Sequence, residues 1–327
     1  MKLGFACKLI DENGKQPFAS RSVNFSQLSK LSETDQIAKL IEIAQHNVQA
    51  LYDMIVHVGR LRPDMRMFRI TSGLLPLFTH EHVHHLYVEY VNDLIAPQLA
   101  ACGRAARSRD VRISFHPGQF TVLASHRPDV IENSIEELEY HTWCAVQMGY
   151  GRKFQDFKIN IHLSGKLGAS EFRRSFGRLS RECRRMLTVE NDEVSSSIEE
   201  CLTLADICPV VLDIHHHWVM TNEYISSGDS RVQQVIDSWR GVRPTMHFSV
   251  SRQEFVPSDT LPDQNKLSVN KVKLRAHSDY YHNEVVNAWA LSFDQFDIMC
   301  ESKAKNLART ALLLRQPYSA NHWSKNS

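Results

Sequence analysis

The chain has 327 residues, of which 43% are hydrophobic and 23% charged, a balance that fits a folded globular protein and excludes a disordered or fibrous one. Lys plus Arg (38) nearly cancels Asp plus Glu (37), leaving +1. A nucleic-acid binder usually carries a basic excess, so such a role here would need local patches or bound divalent cations. Seven scattered cysteines with no CxxC pair argue against a disulfide framework and for a reducing cytoplasm. MKLGFAC at the start has no signal architecture, and no apolar run reaches the roughly 20 residues that span a bilayer.

The spacing predicts strands at 3–7, 67–71, 111–115, 157–163, 186–189, 210–214, 245–250 and 272–275. Helical patterns lie between them. The first follows Ser32 and Asp35, which resemble a capping box, with Ile37, Leu40, Ile41, Ala44, Val48, Leu51 and Ile55 on one face. Others cover 83–99, ending near Pro97 and Gly103, then 129–148, 170–184, 196–205, 231–239 and 293–314. The polar stretch 252–270, with Pro257 and Pro262, reads as a surface loop. Eight alternating strands and helices predict a single-domain (β/α)8 TIM barrel over 1–327, with a core of about 3–315 and a tail at 316–327.

In such a barrel the chemistry collects at the C-terminal ends of the strands. Reading those ends gives His116 (HPGQF), His162 (INIHLSGK), Glu190 (VENDE), Asp213 and His216 (LDIHHH), His247 (MHFS) and His277 (RAHSDY). A lone histidine at a strand end is more often structural, but six successive strand ends each offering His, Asp or Glu point to one rim. Mixed imidazole and carboxylate donors suit Zn2+ or Mn2+ better than Ca2+. The number of donors exceeds what one tetrahedral ion uses, so two or three clustered metals, with Glu190 as a bridge, are expected. Such a cluster suits phosphodiester hydrolysis, with Glu190, Asp213 and His247 acting through the metals.

FRITSGLLPLFTH, HPGQF, NIHLSGK, VENDE, LDIHHH, MHFS, RAHSDY and DIMCESKAK, in this order, resemble the UV damage endonucleases. The resemblance runs from residue 3 to about residue 310. It implies a barrel related to endonuclease IV with a three-metal cluster, usually manganese, Zn2+ or Mg2+ being alternatives. It adds His80 and Glu301 to the ligands and gives Glu301 a part in catalysis; His82, His84 and His85, near His80, belong to the next helix and its start. It implies incision 5′ to cyclobutane dimers and 6-4 photoproducts in duplex DNA, leaving 3′-OH and 5′-phosphate ends, by a monomer without an obligate protein partner or a membrane. The lesion probes would be Gln119 and Phe120, with Phe5 and Leu9 where the family commonly has Tyr and Asn. Thr245 stands where the family often has a carboxylated lysine; a Thr cannot form that carbamate, so cluster geometry, rate or metal preference would differ. Lys166, Arg252, Lys271 and Lys273 are candidate phosphate contacts or solvated surface. An abasic-site endonuclease and a metal-dependent sugar isomerase or epimerase are the rival readings.

Overall fold

Eight short parallel strands make up one sheet in the computed structural model, which describes residues 1–315. The expected tail, 316–327, lies outside the described residues. The strands are Leu3–Ala6 (β1), Met67–Arg69 (β2), Arg112–Phe115 (β3), Lys158–His162 (β4), Leu187–Glu190 (β5), Val210–Val211 (β6), Thr245–Phe248 (β7) and Asp297–Cys300 (β8). Their order is β6-β5-β4-β3-β2-β1-β8-β7. The ring closes through a parallel bridge between Asp213 and His247, with the His247 amide donating to the Leu212 carbonyl at 3.0 Å. Helices lie between successive strands, which makes this a TIM barrel.

Seven strands fall where the sequence places them, and the eighth does not. Residues 271–274 form a short helix, Lys271–Leu274, whose Asn270 cap accepts from the Lys273 amide. The true β8 lies inside the stretch expected to be one helix from 293 to 314. That stretch instead holds β8 and the helix Lys305–Arg315, preceded by the helix Glu284–Leu291. The reason is burial: all four β8 residues are buried, so the strand shows none of the alternation that VKLR imitates.

The first long helix, Glu33–Val58, begins as the capping motif predicts, with Ser32 Oγ accepting from the Asp35 amide at 3.2 Å. The helix expected to stop near Pro97 starts at His84, passes through a π-turn at Tyr87–Val91, and continues as Asn92–Ser108 with Pro97 inside it. Pro97 gives up one interior hydrogen bond, and the buried face of Ile95, Leu99 and Cys102 carries the helix past it. Gly103 lets it approach its neighbour: a Cβ there would lie 1.8 Å from the Met148 carbonyl oxygen. The helix expected over 170–184 is two, Gly168–Phe176 and Arg181–Met186.

Strand parity decides which side chains meet at the barrel's axis. Phe5 and Phe68 stack with ring centroids 5.8 Å apart, and the Arg309 guanidinium of the last helix covers Phe5, so both rings face the helices. Gly4 and Met67 therefore turn inward, where a Cβ on Gly4 would come 2.8 Å from Met67 Cγ. The inner faces of β4, β5 and β7 are polar: Asn160, Thr188, Glu190, Thr245 and His247 are all fully buried. No helix among the described residues is long and apolar enough to cross a membrane.

Candidate metal centre

The C-terminal mouth of the barrel gathers His116 just past β3, His162 at the end of β4, Glu190 at the end of β5, Asp213 and His216 after β6, His247 on β7 and Glu301 just past β8. Three sets of donors each lie within 4.8 Å of one another: His116, Glu190 and His247; His162, Glu190 and His216; Asp213, His247 and Glu301. Glu190 and His247 each belong to two sets. Glu190 Oε1 is 3.1 Å from His247 Nδ1 and 3.5 Å from His216 Nδ1, while its Oε2 is 3.2 Å from His116 Nε2. Asn160, two residues before His162 and so on the same face of β4, donates to Glu190, and Thr188 Oγ1 holds Asn160 Oδ1 at 2.7 Å.

Second nitrogens are fixed by backbone carbonyls. His116 Nδ1 lies 3.0 Å from the Pro117 oxygen, His277 Nδ1 2.6 Å from the Glu301 oxygen, and His216 Nδ1 3.1 Å from the Asn191 oxygen. Such outer contacts set the tautomer that ligates a metal. Asp213 caps the helix Ile214–Thr221, its Oδ1 accepting from the amides of His215 and His216 at 2.8 Å, and its Oδ2 stays free.

The electrostatics are those of a site crowded with donors. Burial, reinforced by the carboxylates of Glu190 and Glu301, pushes Asp213 up to about 7. Burial also raises Glu190, but His247, His162 and His116 around it win and hold it well below the usual carboxylate range. Glu301 is held low against its burial by the Arg69 guanidinium, to which it is paired. Burial lowers His116, His162, His247 and His277. His216 rises to about 9, because Asp213 and Glu190 outweigh its burial.

Four buried atoms of this cluster have no hydrogen-bond partner: His162 Nδ1, Glu190 Oε1, Asp213 Oδ2 and His247 Nδ1. Leaving such atoms unpaired costs on the order of 1–3 kcal/mol each, more when charged. A divalent cation uses this kind of donor, and the residues present fit one.

Other expected residues fall elsewhere. His80 stacks on Phe25 with centroids 4.1 Å apart and lies beside His82, outside the three donor sets. His277 sits in the segment after β7, bridged to Ser251, not on a strand, and borders the cluster through Glu301. Gln119 and Phe120 occupy the two central positions of a turn closed by Thr121 N–H to the Gly118 carbonyl, and Phe120 is 83% exposed. Phe5 is 0% exposed and faces the helices, and Leu9 is 7% exposed, so neither has surface to offer DNA. The expectation that Phe5 and Leu9 probe a lesion is therefore corrected: strand parity turns Phe5, and packing turns Leu9, into the core. Lys166 is exposed, Arg252 is paired with Glu254, Lys271 donates to the Met220 carbonyl, and Lys273 lies over the Phe255 ring.

Residues the strand-end reading passed over include Arg69, Asn160, Asp192 and Glu193. Asp192 Oδ2 is 3.6 Å from His162 Nδ1, and Glu193 Oε2 is 3.6 Å from His216 Nε2. The VENDE string contains both acids, but only parity along β4 and β2 would have singled out Asn160 and Arg69. Thr245 is buried with its hydroxyl unpartnered, and the Nζ of Lys158, at the start of β4, reaches His247 Nε2 at 3.1 Å.

The family model described as UV-endonuclease UvdE matches residues 1–320. A protein of Bacillus mycoides (strain KBAB4) named UV DNA damage endonuclease is 27% identical over 312 residues, covering 90% of this chain and 88% of its own length. One of the same name from Bacillus cereus (strain ATCC 10987 / NRS 248) is 26% identical, covering 88% and 86%. Among solved structures, that of SacUVDE superposes with a TM-score of 0.73 at 26% identity, covering 96% of this chain and 97% of that one.

Proposed function

The chain belongs to the UV-endonuclease UvdE family, and on that premise we propose that it is a metal-dependent endonuclease that cuts DNA beside ultraviolet photoproducts. The bond hydrolysed is the phosphodiester 5′ to a cyclobutane dimer or 6-4 photoproduct, leaving 3′-OH and 5′-phosphate ends. One observation carries this reading: four orphaned, buried donor atoms converge at the C-terminal mouth, on His162, Glu190, Asp213 and His247. His116, His162, Glu190, Asp213, His216, His247 and Glu301 would hold two or three divalent cations, Mn2+ foremost, with His277 Nε2 as a further donor. Bound there, such cations polarise phosphoryl oxygens and acidify water.

The chain's own residues prepare that chemistry. Asn160 orients Glu190, and the Arg69 guanidinium holds Glu301 while adding a buried positive charge at the mouth. Burial lowers the basicity of His116, His162 and His247, which weakens the competition of protons for their nitrogens. Phe120 and Gln119, on the tip of the loop after β3, would enter the stack left by a flipped lesion. A photoproduct is already partly unstacked, which lowers the cost of flipping. The chain acts as one domain, 1–327, and as a monomer on duplex DNA in the cytoplasm.

The test is incision of a duplex holding one defined cyclobutane dimer, with Mn2+ and with chelator, beside a duplex holding an abasic site. A single metal-dependent cut 5′ to the dimer is expected. Cutting only at the abasic site would move the substrate, and no cutting of either by metal-loaded protein would overturn the reading.

A further inference from the structure

His247 differs from its neighbours in what its second nitrogen meets. The second nitrogens of His116 and His277 lie against backbone carbonyls, which require an N–H from the ring. His247 Nε2 lies against an amine, Lys158 Nζ, at 3.1 Å, and both side chains are buried. Its Nδ1 faces Glu190 Oε1 at 3.1 Å and Glu301 Oε1 at 3.4 Å. Two of the three donor sets include His247, so a ring flip there would remove a donor from both.

We propose that Lys158 is a positioning residue that holds the His247 ring with Nδ1 turned into the carboxylate cluster. An uncharged amine meets Nε2 in either state, donating to a bare nitrogen or accepting from Nε2–H, whereas an ammonium can only donate. When Nδ1 gives its lone pair to a metal, the ring proton resides on Nε2 and Lys158 accepts it. Lysine also costs more to bury than an apolar side chain of the same length, and core packing alone would be served by methionine. This inference rests on the metal-binding reading above.

The test measures Mn2+ affinity of the full chain without DNA, by EPR of the free ion, for wild type, Lys158→Met and Lys158→Gln, with melting curves of the metal-free proteins. Outer partners of metal-ligating histidines are typically worth about 10–100-fold in metal affinity. Lys158→Met should lose that much without melting lower than wild type. Lys158→Gln, whose carboxamide both donates and accepts, should regain most of it. Wild-type affinity in Lys158→Met, or equal weakness in Lys158→Gln, would overturn the positioning role. A wild-type chain that binds no Mn2+ would instead sink the metal reading itself. Imidazole 15N spectra of the Zn2+-loaded wild type, assigned with His247→Gln, supply a measurement that needs no stable Lys158 variant. Coordination at His247 Nδ1 with a proton on Nε2 is expected, and the reverse arrangement overturns the proposal.

Discussion

The two mouths of the barrel both gather ionisable side chains and treat them in opposite ways. At the N-terminal mouth, Asp297 receives Arg112 at 2.7 Å, Arg243 at 2.8 Å and the Lys2 backbone amide at 2.7 Å. Lys2 Nζ is paired in turn with Asp110 at 2.8 Å. Both oxygens of Asp297 are met, and Arg112 holds its carboxyl low against its burial. At the C-terminal mouth, His162 Nδ1, Glu190 Oε1, Asp213 Oδ2 and His247 Nδ1 are left without one. Buried polar groups are mostly satisfied in folded proteins, so orphaned donor atoms from four successive strand ends that converge on one cluster mark a ligand site, while the paired Asp297 and its arginines plug the other end.

The largest effect expected from breaking this contrast is at Glu190, which faces His116, His216 and His247 at once. Glu190→Gln should abolish incision of the dimer duplex and weaken Mn2+ binding by more than ~100-fold, since outer partners alone reach that range. Its metal-free melting curve should stay near wild type, because the carboxamide fills the same space. Full activity in this variant would break the assignment of the C-terminal mouth.

Asp297→Asn is the converse experiment. It leaves Arg112 and Arg243 without their counter-charge and should cost about 3 kcal/mol, the lower end for breaking a buried pair, as both arginines reach solvent. Mn2+ affinity should be unchanged. Denaturant unfolding paired with metal titration checks both halves, and loss of metal affinity at constant stability would show that the mouths are not independent.

Most of this division was legible in the sequence. His116, His162, Glu190, Asp213, His216 and His247 announce themselves as polar residues at the ends of apolar runs, and strand order makes them neighbours. Glu301 came only through family resemblance, because β8 is buried on both faces and reads like part of a helix. The plug was not legible, since Arg112, Arg243 and Asp297 begin or precede strands far apart in sequence and no local pattern pairs them. Lys158 was also hidden: at the start of an apolar run, a lysine looks like a solvated boundary residue. Phe5 erred the other way, because a family position does not reveal which face of β1 points at the helices.

The barrel wall supplies a control outside the three donor sets. His141, on the helix Pro128–Gln147, is fully buried with its Nδ1 2.8 Å from the Glu137 carbonyl oxygen, and burial lowers it to about 4. Its folded pKa lies below the unfolded value, so the unfolded chain binds the proton first as pH falls. Stability is therefore full above roughly 6.5 and declines toward 4, by about 3 kcal/mol from this group. His141→Gln should flatten that part of the pH–stability curve relative to wild type. Identical slopes in the two proteins would assign the acid sensitivity to the cluster.

The smallest effect on the fold, and the sharpest separation of fold from function, is expected at Phe120. With 83% of its surface exposed, Phe120 contributes little to the core, and Phe120→Ala should change stability by no more than about 0.5 kcal/mol. Manganese affinity should also hold, since no donor atom moves. Base–aromatic stacking is worth about 1–3 kcal/mol, so incision at a dimer should fall roughly tenfold or more. Phe120→Tyr should keep its rate, because a flat ring fills the gap with or without a hydroxyl. A Phe120→Ala protein that cuts at the wild-type rate would leave the exposed ring without a role in lesion recognition. A protein that loses metal affinity with the ring would show that the loop after β3 shapes the cluster through His116. The comparison of the two mouths would then have to extend from buried donors to the loops that carry them.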